Sequence, residues 1–246
     1  MGLMTLNAVL HIDAETLEAL PNFYHSLKWY RSYRERHGKY LAIEDLEEKD
    51  DLILSLVPKA RMIKLLHALL DEKEFFSPYG IRGLSKVHEN PYSIMLDGKV
   101  FSVKYAPAES EISLFGGNSN WRGPIWMPLN FLFVQALNEF HKYYGDEIKV
   151  EFPVGSGKKI TLKEVSTMIS QNLVSIFEKD KNGDRPVNAL HKEIYQDEHF
   201  KDLILFYEYF HGDSGRGVGA THQTGWTGVV AHLINESCWS TKKSKK

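Results

Sequence analysis

Glu208 is the residue whose neighbours most suggest chemistry. In LFYEYFHGDSGRGVGATHQTGW, Leu205 to Trp226, it stands between Phe206-Tyr207 and Tyr209-Phe210, and five glycines follow it before Trp226. A carboxylate on a rigid element, beside a loop open enough for a ligand to come close, can serve as a general base. The same pattern also suits a Glu on the wet face of an amphipathic helix, the common fate of that side chain. Further along, His222 and Gln223 place polar groups before a helix start, with Trp226 behind them. A second stretch, YAPAESEISLFGGNSNWRGPIWMPLN, crowds Trp121, Arg122 and Trp126 around Gly123-Pro124. A helix start offers free N–H groups and Arg122 adds a planar donor fork, so two indoles there could wall in a polyhydroxylated ligand. The bland alternative makes Trp121 and Trp126 core anchors and Arg122 half of an ion pair.

Other chemistries find less support. The eleven histidines show no H-x-x-x-H or H-E-x-x-H spacing, so no metal site is expected. DKNGD, Asp180 to Asp184, reads as a turn lacking the rest of a calcium loop. GDSG (Gly212 to Gly215) resembles a serine-protease nucleophile loop, but that loop works only with His and Asp supplied by a β-barrel. GRGVGA and GSGKK follow no predicted strand and complete no phosphate loop.

The elements that must position these residues are mostly helical by period. DAETLEALPNFYHSLKWYRSYRERHG spaces Leu17, Leu20, Phe23/Tyr24, Leu27 and Tyr30 by three and four, with Asp13 as N-cap, a break at Pro21 and a stop at Gly38. KARMIKLLHALLDEKEF predicts a helix burying Ile63, Leu66 and Leu70. WMPLNFLFVQALNEFHKYYG predicts another, with Trp126, Leu129, Phe133, Ala136/Leu137 and Phe140 on one face and Gly145 at its end. KKITLKEVSTMISQNLVSIFEKD opens on a capping box, Thr161 and Glu164. HFKDLILFYEYF and TGWTGVVAHLINE read as the last two helices. Residues 78–120 are punctuated by Gly and Pro, and the alternation in KVFSVKYAP points to a short hairpin near 92–105. The expectation is an all-α fold with a minor β-hairpin insertion.

Bulk properties are those of a globular domain: 246 residues, 43% hydrophobic and 25% charged, which leaves room for a sizeable core. A net charge of −2 gives no reason to expect nucleic acid or an anionic membrane as partner. No apolar run is long enough to cross a bilayer, and the N-terminus lacks a signal-peptide pattern, so a cytoplasmic location is expected. The lone Cys238 allows no internal disulfide. Residues 237–246, ending TKKSKK, are expected to be a disordered tail.

GGNSNWRGPIWMPLNFL and FYEYFHGDSGRGVGATHQTGWTGVVA together resemble glycoside hydrolase family 63, which includes the processing mannosyl-oligosaccharide glucosidase. WRGPIW followed by Asn130 is a hallmark of that family, as is the spacing of Glu208, Phe210, Gly215 and Gly217. YGIRGLS, YAPAES and HQTGWTG look like its prokaryotic branch. The resemblance covers roughly residues 58–236. It implies part of an (α/α)6 toroid, an oligosaccharide substrate, no cofactor, and inversion at an α-glucosidic bond by an acid and a base about 6.5–9.5 Å apart. It implies Glu208 as the base and Trp121, Arg122 and Trp126 as sugar wall, with Glu109, His222 and Trp226 as further substrate contacts. The family's acid, an Asp, belongs to an earlier segment that would precede Met1. The chain is therefore expected to be a C-terminal portion with little activity alone, its partner the missing N-terminal portion. Two other readings stay open: a non-catalytic carbohydrate-binding remnant and a helical interaction module.

Overall fold

The computed structural model describes residues 2–38, 43–44, 51–112 and 119–243, without the side chains of 43–44 and 237–243. The helices are α1 (Ala14–Ala19), α2 (Pro21–Arg36), α3 (Lys59–Leu70), α4 (Met127–Tyr144), α5 (Leu162–Ser175), α6 (Thr224–Thr227) and α7 (Val230–Lys243). Among the described residues there are also eleven short strands: β1 (Val9–Ile12), β2 (Ile43–Glu44), β3 (Leu52–Ser55), β4 (Phe76–Ser77), β5 (Gly80–Ile81), β6 (Tyr92–Leu96), β7 (Lys99–Val103), β8 (Lys149–Glu151), β9 (Lys159–Thr161), β10 (Tyr209–Phe210) and β11 (Gly217–Val218). All pair antiparallel, as the sheet β1-β3-β2 and four two-stranded ribbons. The fold is thus helical in its long elements and carries more β structure than the all-α expectation allows. No described helix is long and apolar enough to cross a membrane.

The chain forms two compact units, Met1–His67 with Phe133–Ser166, and Ala68–Leu132 with Thr167–Lys246. In the first, β3 supplies Leu52 and Ile53 to the core. The break at Pro21 is present: α1 ends at Ala19, and Pro21 opens α2, where its missing N–H costs nothing. Asp13 caps α1 by accepting from Thr16 N at 2.8 Å. The expected apolar stripe buries only Leu17, and none of the residues of α2 is buried. Periodicity marks a face able to be covered, and beyond Leu17 this one is at most half-covered, at Tyr24 and Leu27. The capping box of α5 closes as expected: Thr161 N donates to Glu164 Oε2 at 2.7 Å, and Glu164 N to Thr161 Oγ1 at 3.2 Å.

The signature loops belong to the second unit, whereas α3 and α4 each have residues in both units. The buried stripe of α3 is Met62, Leu66, Leu69 and Leu70, while Ile63 is exposed, so the stripe is rotated from the expected one. Buried residues of α4 include Met127, Phe133, Ala136, Leu137 and Phe140, close to expectation. The hairpin β6–β7 lies where the alternation placed it and turns at Asp97-Gly98, both with positive φ. The helix expected from HFKDLILFYEYF does not form: residues 203–208 run irregularly into β10, and His222 bridges Phe206. Five aromatic or β-branched residues packed into a stretch bounded by a glycine loop favour extended backbone over helix. The last expected helix divides at Gly228, giving α6 and α7. Of the expected tail, residues 244–246 lie outside the described residues, as do Gly116 and Gly117 of the first loop.

Candidate active site

Three distant stretches are stitched together by backbone at Ile125. Ile125 exchanges hydrogen bonds with Phe210 in both directions, at 2.8 and 2.9 Å, and bridges Arg82 on its other side. Gly83 N donates to Pro124 O at 2.9 Å. Asn130, buried in the first turn of α4, accepts from Ile81 N at 2.6 Å and donates to Ile81 O at 3.0 Å and to Trp126 O at 3.1 Å. One amide side chain thus replaces a ladder partner for β5 and ties it to α4. The hallmark Asn is a structural brace.

The same stitching brings Glu208 to the WRGPIW loop. Glu208 stands at the head of β10, half-buried, its N–H donating to Ala220 O at 2.8 Å. Ser119 Oγ donates to Glu208 Oε1 at 2.5 Å, and Ala220 N approaches Oε2 at 3.4 Å. Gly219, at φ +75°, makes room for this: a Cβ there would lie 2.8 Å from Glu208 Oε2 and from the Tyr209 ring. The next residue, Tyr209, is buried and begins a stack. Its ring lies 4.7 Å from Trp126, whose other face meets Trp121 at 3.9 Å and 3°, while Trp226 meets Trp126 edge-on at 6.2 Å. Burial, and then the Glu208 charge, push the Tyr209 hydroxyl up, so it stays protonated.

The expected site residues therefore divide by role. Trp126 is 3% exposed with both faces covered and its indole N–H donating to Asn120 O at 3.1 Å. Trp121 and Trp226 are 41% and 37% exposed and offer free ring surface. Arg122 is buried, donating to Asn120 Oδ1 at 3.3 Å and Ser110 Oγ at 3.0 Å, and no ion pair to it occurs among the described residues. Glu109 is gripped bidentately by Arg216, at 3.0 and 2.6 Å, which holds its carboxyl below the usual carboxylate range. His222 is exposed at the mouth of the last loop. Asp213 sits apart from these: it accepts from Arg82 Nη2 at 2.9 Å and Tyr105 Oη at 3.1 Å, with Lys86 at 3.4 Å. Burial raises that carboxyl, but the Arg82 bond and charge outweigh it and hold Asp213 low. Burial and the Arg216 charge lower His211, whose Nδ1 accepts from Asp213 N at 3.1 Å, so the ring is a neutral acceptor there.

Sequence reasoning does not single out Ser119, Asn120 or Tyr207. Asn120 is buried and ties Ala106 O and Ala108 O to the Arg122 turn. Tyr207 packs so closely on Gly217 that a Cβ there would lie 2.2 Å from the ring. Gly212, Gly215, Gly217 and Gly219 make room for the protein's own backbone, rings and carboxylate, and Gly225 faces open space. Nothing in the spacing marks Ser119, because its contact spans 89 residues.

A family model described as the glycosyl hydrolase family 63 C-terminal domain matches residues 51–236. The chain is 42% identical over 246 residues to the uncharacterized protein YMR196W of Saccharomyces cerevisiae, covering 96% of this chain and 22% of that protein. It is 26% identical over 185 residues to the mannosyl-oligosaccharide glucosidase of the same yeast, covering 74% and 16%. It is 23% identical over 188 residues to a Schizosaccharomyces pombe protein named as a probable mannosyl-oligosaccharide glucosidase, covering 76% and 17%. These are yeast proteins, so the prokaryotic affiliation draws no support from them. The chain spans about a fifth of the length of the curated relatives it matches. A match over three quarters of the chain, on the loops that hold Glu208 and the tryptophan stack, makes the chain a member of glycosyl hydrolase family 63.

Proposed function

We propose that this chain carries the general base and part of the sugar wall of an inverting α-glucosidase acting on oligosaccharides, within the ring of helix pairs that the family resemblance implies. Glu208 takes the proton from the attacking water. Trp121 and Trp226 lend their exposed faces to the sugar, His222 adds a polar contact at the mouth, and Trp126 and Arg122 hold the wall in place. The observation that carries this reading is the seating of the Glu208 carboxylate, gripped by Ser119 and held beside the Trp121–Trp126–Tyr209 stack. A base needs fixed geometry, and aromatic faces beside it suit a pyranose ring.

Inversion also needs an acid on the other side of the scissile bond. Glu109 and Asp213 are each held by an arginine and kept low, which unsuits them for donating a proton near neutral pH. We assign the acid to a segment outside the described residues, as the family resemblance implies, and expect the chain alone to turn over α-glucosides poorly. The test is to assay the purified chain, and a chimera in which it replaces the matching part of the longer yeast relative. In the chimera, proton NMR should show β-glucose released first, and Glu208→Gln should lower kcat by about 10²–10⁴-fold. Turnover that survives Glu208→Gln overturns the assignment. The arginine-bound state of Glu109 and Asp213 also favours a second reading, sugar binding without hydrolysis. Saccharide binding lost in Trp121→Ala, with no turnover even in the chimera, would select it.

A further inference from the structure

Helix α2 turns its apolar side outward. Tyr24, Leu27, Arg31 and Arg34 are half-buried and recur at steps of three and four residues, so they mark its covered side. Phe23, Trp29, Tyr30 and Tyr33 lie off that side and are all exposed, Trp29 at 59%. Tyr30 stands seven residues after Phe23, and Tyr33 three after Tyr30 and four after Trp29, so the rings form one stripe. Sixteen residues make α2 about 24 Å long. A single exposed ring is ordinary, but a stripe of four marks a surface that meets something. The net charge of −2 hides the charge of this segment. Residues 20–38 carry Lys28, Arg31, Arg34 and Arg36 against one acid, Glu35. Glu15 and Glu18 stand on α1, before the Pro21 break.

Charge and ring geometry narrow the partner. Arg31 pairs with Glu35 at 2.8 Å, whereas Lys28 and Arg36 meet no carboxylate among the described residues. Lys28 Nζ lies over the Tyr24 ring at 4.1 Å, and Arg36 Nε donates to Ser32 O at 3.2 Å. Arg36 follows Trp29 by seven and Tyr33 by three, and Arg34 follows Tyr30 by four, so a guanidinium borders the stripe on each side. A net positive stripe repels a second copy of itself and attracts an anionic surface. A base or a sugar would need open ring faces. Here Tyr33 stacks between Trp29, at 5.5 Å, and His37, at 4.2 Å, and the Arg34 guanidinium lies over Tyr30 at 5.8 Å. Rings packed along the helix in this way present their edges and polar tips. Lipid head groups receive Trp and Tyr in that manner, with Lys and Arg reaching the phosphates from either side.

We propose that α2 is an interfacial helix that docks on an anionic lipid surface, its ring stripe at head-group depth and Lys28, Arg34 and Arg36 against the lipid anions. This goes beyond the reading of Glu208 and does not depend on it. The test is flotation of the purified full chain with phosphatidylcholine vesicles, with and without phosphatidylserine. Phosphatidylserine should raise partitioning at least about tenfold, and added salt should reverse the gain. Lys28→Gln with Arg36→Gln should weaken it on the order of 30-fold, at about fivefold for each cation removed. Trp29→Ala should weaken binding while circular dichroism stays that of the parent, since the exposed ring supports no core. Brominated lipid should quench the parent's fluorescence, and Trp29→Phe should remove most of that quenching. No binding, or no preference for the anionic vesicles, as would follow if the acids of residues 44–51 neutralised the helix, would overturn the proposal. So would partitioning that the Lys28 and Arg36 changes leave intact, quenching kept in Trp29→Phe, or full displacement by free phosphoserine. Tighter binding to single-stranded RNA than to vesicles, or a dimer that Trp29→Ala separates, would give the stripe to another partner and equally overturn it.

Discussion

Glu208 is held from both oxygens, by a hydroxyl on one and by backbone on the other, and Gly219 is what lets the second contact exist. Gly219→Ala would push a methyl carbon into Oε2 at 2.8 Å and strain a residue at φ +75°. The chain should lose about 1 kcal/mol or more in urea unfolding, since alanine resists that backbone region. Any sugar affinity that depends on the Glu208 seat should fall with it. Ser119→Ala separates positioning from folding. The unfolding midpoint should move little, while kcat of the chimera should fall with KM nearly kept, as the carboxylate loses its fixed seat. An unchanged kcat would count against Ser119 as a positioning residue.

At the level of elements, single polar side chains join pieces that regular hydrogen bonding cannot. Asn130 serves both backbone groups of Ile81. Asn130→Ala would leave them buried and unpaired, at about 1–3 kcal/mol for each group. The denaturation midpoint should drop sharply without change in slope, because the same surface is still exposed on unfolding. Thr161→Ala removes one half of the α5 capping box and should cost about 1 kcal/mol. Melting followed by circular dichroism distinguishes the two: the first variant should fall far more than the second. The exposed hairpin β6–β7, with Tyr92 60%, Met95 71% and Val100 65% exposed, marks an apolar surface on the second unit.

For the molecule as a whole, the Arg82–Asp213 cluster couples stability to acid. The Asp213 carboxyl is lowered in the folded chain, so it adds stability at pH above its ordinary value near about 3.9. That contribution disappears as the pH falls through the lower folded value. Urea midpoints taken between about pH 7 and about pH 3 should therefore show Asp213→Asn less stable than the parent at neutrality, with the gap closing at the acid end. A gap that stays constant with pH would mean that the aspartate is held by packing alone.

What could be read directly from residue order was whatever depends on local neighbours: the Pro21 break, the Thr161–Glu164 box, the hairpin near 92–105, the length of α4 and the motif words that carry family membership. Each rests on interactions spanning a few residues, which a periodic pattern or a cap encodes. Tertiary structure alone decided what faces what. LFYEYF became a strand head because it pairs with Gly217-Val218 and Ile125. Trp126 was sealed on both faces while Trp121, five residues earlier, kept one open. Ser119 reached Glu208 across 89 residues, and the glycines proved to be seats for Tyr79, Tyr207 and the carboxylate itself. Contacts of that span leave no period or spacing in the chain, since they depend on how distant segments are packed together.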